Sequence, residues 1–323
     1  MKGLGAALLA VALLGSPGLW AAENSDLPPW AVKRITPVHD RVSRWVDNSS
    51  RNIDGFFGTN DSLNVENHSF MRVSGEMDWM ETYAPKNDLG VRFRLDVPTT
   101  NERLRLVLES DPEETQGTLA EQGANRQRND SRDTRGVLGI SQMFSDDKTQ
   151  GWKNRLGGGV KLHLPPDPYV RFTTERLWRL GGPWSLDSHN RASWFDSEGY
   201  SARSRWDVGR PLDDRHHLRF VSQFLWQELV GPLEFSQSAE ISQILGKRSA
   251  VNYAAVLVGQ SSTQPRINDY YLQAAYRRNL HEEFLFADVV PELHFPREAL
   301  FSPRWALTLR LEMFFRGDVQ LRE

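Results

Sequence analysis

The strongest constraint in this sequence is a period of two that sets in near Ser69 and runs to Arg316. It is plainest in the segment RWALTLRLEMFFR. There Trp305, Leu307, Leu309, Leu311, Met313 and Phe315 alternate with Ala306, Thr308, Arg310, Glu312 and Phe314. Successive side chains of a strand point to opposite faces, so this segment reads as a strand with one apolar and one mostly polar face. The preceding run behaves alike: Leu285, Ala287, Val289, Leu293 and Phe295 alternate with Asp288, Glu292 and His294. Going backwards, Leu218, Phe220, Phe224 and Trp226 oppose Arg219, Gln223 and Gln227, and Met71, Val73, Met77 and Trp79 oppose Arg72, Glu76 and Asp78. Gly, Pro and Asp clusters such as Gly181-Gly182-Pro183 and Asp213-Asp214 separate the runs. The spacing predicts an all-β chain of about 14 antiparallel strands, with 12 as the lower count.

Two architectures satisfy this alternation. A soluble sandwich or barrel buries its apolar face; a membrane barrel turns that face to lipid and keeps charge inside. Three features favour the membrane barrel. Residues 1–22 (MKGLGAALLAVALLGSPGLWAA) have a basic start, a short apolar run and small residues at Ala21 and Ala22, the pattern of a cleavable secretory signal. The polar faces carry long side chains of both charge signs in near balance. Trp79, Trp184, Trp194, Trp206, Trp226 and Trp305 fall near strand ends, as an aromatic girdle at a lipid interface requires. A sheet in lipid must close, because an open edge leaves backbone groups unpaired.

Composition narrows the choice. Mean hydropathy is -0.54, and no stretch after residue 22 is long and apolar enough for a spanning helix. This excludes a helical bundle and leaves a strand-built membrane protein open. The chain has 39 Lys plus Arg against 42 Asp plus Glu, so a nucleic-acid partner is not expected. It has no cysteine, hence no disulfide framework and no thiolate metal site.

The reading divides the chain into a signal peptide (1–22), an N-terminal periplasmic helix and linker (23–66), the barrel (67–316) and a C-terminal tail (317–323). From Pro37 to about Asn52 the spacing predicts an amphipathic helix, with Val38, Val42, Trp45 and Val46 on one side. That stripe either packs on the mouth of the barrel, as a plug, or docks a partner. The connection Pro112–Thr134 is the longest and most polar, and is expected as a surface-exposed loop. Three polar residues, Arg176, Asn190 and Gln237, fall on the lipid face in this phasing. A cation at mid-bilayer depth costs roughly 2–4 kcal/mol, so they imply a register shift or a position near an interface. Pro291 lies inside a strand and lacks a ladder donor, which predicts a bulge.

The segment ALTLRLEMFF, with Leu309, Leu311, Met313 and Phe315, resembles the terminal-strand signal by which bacterial outer-membrane barrels are recognised for insertion, although eight residues follow Phe315. The pieces PDPYVRFTTERLWRL, SWFDSEGYSARSRWDVGRPL and AAYRRNLHEEFLFADVVPELHFPRE, with LTLRLEMFF, resemble a family of proteobacterial outer-membrane β-barrel proteins that carries no assigned activity. The resemblance implies a fold and a Gram-negative outer-membrane location. Outer-membrane lipids, and the barrel-assembly machinery during insertion, would be the partners.

Motifs for chemistry are weak. Ser188 and His189 are adjacent and therefore point to opposite faces of a strand, which separates a nucleophile from its base. His216-His217 lack a metal-ligand spacing, and Gly157-Gly158-Gly159 lack the Gly-Lys-Ser/Thr ending of a phosphate loop. No metal, cofactor or catalytic residue is expected. What remains is a lumen charge network of Arg219, Arg277, Asp288, Glu292, His294, Arg310 and Glu312. Buried charges need partners, so these either cross-link a narrow lumen or segregate on opposite walls and leave a polar channel. The expectation is a non-enzymatic barrel, either a passive channel for small polar solutes or a structural envelope component. The alternatives are an outer-membrane lipid hydrolase and an assembly or docking protein that uses the helix.

Overall fold

The computed structural model describes residues 25–57, 70–98, 104–110, 119, 137–145, 151–162, 165–261, 264–282 and 284–316. The side chains at 44–57, 96–98, 104–106, 143–145 and 316 lie outside this description. So do residues 1–22 and 317–323, where the signal and tail were expected.

Fourteen strands form a closed antiparallel barrel. They are β1 (Phe70–Met80), β2 (Lys86–Pro98), β3 (Leu104–Glu109), β4 (Val137–Ser145), β5 (Trp152–Lys161), β6 (Asp167–Gly181) and β7 (Trp184–Phe195). After them come β8 (Gly199–Pro211), β9 (His216–Gln227), β10 (Leu233–Gly246), β11 (Ser249–Ser261), β12 (Pro265–His281), β13 (Leu285–Pro296) and β14 (Arg304–Arg316). Each strand pairs with its sequence neighbours. The ring closes where β1 meets β14, from Phe70 opposite Arg316 to Met80 opposite Ala306. Because the strand number is even, β1 begins and β14 ends at the same rim, here the terminal rim; the opposite rim is the loop rim.

Register fixes which side chains point in. Glu76 is opposite Arg310, Arg277 opposite Asp288, and Arg219 opposite Glu240. The alternate residues point out and are exposed: Leu89, Leu272, Trp305, Leu311 and Phe220. A large apolar surface outside and charge inside is the inverse of a soluble barrel, and it suits lipid contact.

The outward polar residues keep their register, and Asn190 and Gln237 accept from neighbouring hydroxyls. Arg176 lies with its guanidinium 3.5 Å from the Trp178 ring centre and 5.0 Å from that of Trp152, close to the terminal rim. Cation–π contact and an interfacial position together reduce its cost in lipid. Ser204 donates to Asn190 and accepts from the Trp206 indole, while Ser222 donates to Gln237. Trp206 is thus not a girdle residue at a strand end; it lies inside β8, with its N–H satisfied by Ser204. The expected bulge at Pro291 is also absent. Pro291 pairs with Leu307 of β14 in unbroken register. On the β12 side the ladder skips a step and resumes in the same register, from Gln273–Glu292 to Tyr276–Val289. The missing N–H therefore interrupts one ladder without inserting a residue.

The helix α1 spans Pro29–Phe57, starting eight residues before the expected Pro37. Its buried positions Ala31, His39 and Ser43, with Ile35 partly buried between them, recur every four residues, as one face of a helix must. This face rests on Leu280, Phe284 and Leu285, with Ala287 and Met313 beside them. Leu285, Ala287 and Met313 belong to the outward set of β13 and β14, so the first half of α1 lies against the outer wall at the terminal rim. His39 stacks on Phe284 at 3.7 Å, and its Nε2 donates to the Phe314 carbonyl at 3.1 Å. Ahead of the helix, Asp26 pairs with Arg248 and Arg278, at 3.1 and 2.6 Å.

Candidate functional site: the charged lumen

Most inward side chains are polar or charged, and they are organised by strand. Along β12, β13, β14 and β1 the charges alternate in sign from strand to strand. Arg277 holds Asp288 through two bonds of 2.7 Å and also reaches Glu312. Arg310 lies 2.9 Å from Glu76 and 3.7 Å from Asp288. Arg72 meets Glu312 at 3.2 Å, and Thr308 donates to Asp78 at 2.6 Å. This network straddles the β1–β14 closure, so the seam is held by side chains as well as by its backbone ladder.

Towards the loop rim, His294 is 1% exposed, 2.8 Å from Asp269 and 3.4 Å from Glu292, and stacked on Tyr271. A cavity of about 320 Å³ opens beside it, lined by Met80, Tyr83, Glu298 and Arg304 among others. Of the residues singled out from sequence, Arg277, Asp288, Arg310 and Glu312 meet in one cluster. Glu292 and His294 form a second with Asp269. Arg219 stands apart, 2.9 Å from Glu240 and 3.5 Å from Asp207. Leu309, Leu311, Met313 and Phe315 share the outward face of β14. Val38 is 53% exposed and faces away from the barrel, and Val42 is half-buried. The side chains of Trp45 and Val46 lie outside the described residues.

The wall from β5 to β9 is different. One row of paired residues runs Arg155, Thr173, Arg191, Arg203, Leu225 and Glu234 across six strands. Arg191 sits directly opposite Arg203, and one step along the strands His189 is opposite Arg205. Carboxylates are fewer here: Glu175 beside His189 at 3.3 Å, Asp207 beside Arg205 at 3.6 Å, and Asp187 opposite Asp207, while Arg171 reaches Glu109 of β3 at 3.4 Å. Among the described residues, the two signs are divided: inward cations outnumber carboxylates from β2 to β9, and carboxylates outnumber cations from β10 round to β1.

One residue of the connection between β3 and β4 lies within the described residues. Of Pro112–Thr134 only Leu119 is described, and it is not on the surface. It is 4% exposed and packs on Leu225, Val258 and Tyr271, with Val256 beside them, all inward-facing residues of β9, β11 and β12. Its backbone N–H donates to the Glu234 carboxylate at 2.6 Å. The lumen wall therefore has an apolar socket, and a residue of the longest connection fills it. A lone leucine in a polar stretch was the one signal available for this in the sequence.

Ser188 and His189 do point to opposite faces. Ser188 accepts from the Trp178 indole on the outer wall, at 3.1 Å, while His189 faces the lumen and Glu175. They form no nucleophile–base pair.

No protein-family model matches the chain, and no curated protein matches it. Solved structures do. An anion-selective porin from Comamonas acidovorans is 9% identical, covering 77% of this chain and 99% of that one, with a TM-score of 0.47. The outer-membrane channel DcaP of Acinetobacter baumannii is 6% identical, covering 80% and 99%, with a TM-score of 0.44. OmpT, an outer-membrane protein of Vibrio cholerae, folded in vitro, is 8% identical, covering 79% and 99%, with a TM-score of 0.43. Similarity at this level belongs to barrel architecture and carries no argument about activity.

Proposed function

We propose that this chain is a passive channel of the outer membrane for small polar solutes, with both termini on the periplasmic side. One observation carries the reading. The side chains of Arg205 and Arg277 point into the barrel, yet they are 42% and 44% exposed. Inward guanidiniums reach that exposure only where the lumen holds water beside them, and a water-filled lumen crossing the membrane is a path for solutes. The apolar outer wall and the secretory-type first segment support the location. A structural envelope role without permeation would leave this accessible interior without use. The lipid-hydrolase reading gains nothing from Ser188 and His189, which lie on opposite sides of the wall.

Liposome swelling tests the reading. Vesicles carrying the folded protein are expected to swell in uncharged sugars, faster for monosaccharides than for trisaccharides. Rates equal to those of protein-free vesicles for every sugar would reject the channel.

A further inference from the structure

Most arginine–carboxylate pairs of the lumen are unequal in one direction. In the pair Arg277–Glu312 the guanidinium side chain is 44% exposed and the carboxylate side chain 3%. Arg72 against the same Glu312 is 30% to 3%, and Arg219 against Glu240 is 33% to 14%. Arg205 against Asp207 is 42% to 18%, and Arg310 against Glu76 is 19% to 9%. The carboxylates sit against the wall; Glu240, for one, accepts from Arg219, Ser238 and Asn252. The arginines lie over them, with a larger fraction of each side chain exposed to the lumen. Other contacts run the other way: Lys161 with Glu198 at the loop rim, His189 with Glu175, buried His294 with Asp269 and Glu292, and, by a small margin, Arg171 with Glu109.

A near-neutral count of charges therefore does not give a neutral lining. The potential a solute meets depends on which charges stand next to the water, because interactions weaken steeply with distance and dielectric. The lining nearest the water is mostly guanidinium, a planar fork of donors that matches carboxylate and phosphate oxygens. Arg191 opposite Arg203 adds two cations at neighbouring positions on the same wall.

We infer that the lumen prefers anions, and that its solutes are small carboxylates or phosphate-bearing molecules in contact with the arginine-lined water. This rests on the channel reading above and names its solute class.

The test is the reversal potential of the full chain in a planar bilayer under a potassium chloride gradient. The expected sign is that of a current carried mainly by chloride. Arg205→Gln should move the potential toward zero, and Arg205→Glu should move it further. Asp207 keeps Arg219 in either variant, so no carboxylate is stranded. Malate and phosphate, added as probes, should reduce the chloride current of the unaltered protein at lower concentration than they do in Arg205→Glu. A potential of the cation-selective sign, or one unmoved in a folded Arg205→Glu that still conducts, would overturn the inference while leaving the channel in place. Absence of any current would instead reject the channel.

Discussion

Along β12, β13, β14 and β1, Arg277, Asp288, Arg310 and Glu76 follow one another with alternating sign, one per strand. Along β7 and β8, Arg191 faces Arg203 and His189 faces Arg205. Both arcs belong to one barrel with one hydrogen-bonding pattern, so backbone geometry does not explain the difference. Opposite charges across a strand pair favour pairing, and like charges oppose it. The first arc uses its charges to hold strands together, and it does so where the chain must close on itself. The second places two arginines, Arg191 and Arg203, at paired positions facing the lumen.

The comparison predicts unequal responses to substitution. Arg310→Met removes the guanidinium 2.9 Å from Glu76, whose side chain is 9% exposed, and a cation 3.7 Å from Asp288. A buried charge left without its partner costs about 3–5 kcal/mol. The expected result is a loss near the lower end of that range in urea unfolding from vesicles, because Asp288 keeps Arg277. By contrast, Arg191→Met in the same assay should cost less than Arg310→Met, since across its strand pair Arg191 is opposite Arg203 and not a carboxylate. Equal losses in the two variants would break the distinction between the arcs.

The socket of Leu119 lies at the edge of the second arc, beside Leu225 in the row that includes Arg203. Burying a leucine contributes roughly 2 kcal/mol, enough to hold one residue of a long connection against the wall. Leu119→Ala should raise single-channel conductance, because it shortens a side chain that occupies the lumen, and should leave the thermal unfolding of the barrel nearly unchanged. Unaltered conductance would place the Leu119 contact off the solute path.

The strand pattern was legible because apolar and charged residues alternate with little interruption from Ser69 onward, and lipid enforces that alternation on the outer face. The phase was right even at Arg176, Asn190 and Gln237, whose positions among aromatic rings and hydroxyls supply what lipid does not. Two features escaped. The helix begins at Pro29 and passes through Pro37, and its buried face is completed by His39 and Ser43, which no apolar criterion selects. His39 is buried because the Phe314 carbonyl and the Phe284 ring supply its partners, and these are distant in sequence. Leu119 escaped for the same reason: its socket is assembled from β9, β11 and β12, and a single leucine carries no period. The division of the lumen charge was legible only as one of two outcomes. Alternation tells which residues face inward, while the depth of each carboxylate beneath its arginine depends on packing.

Conduction through the lumen can be measured directly. Folded full-length protein in a planar bilayer at high salt, where surface charge is screened, should give discrete, steady current steps that scale with bulk salt conductivity. Silent membranes, with insertion and native folding verified on the same sample, would mean that the exposed guanidiniums line a closed vestibule and that the chain is no channel.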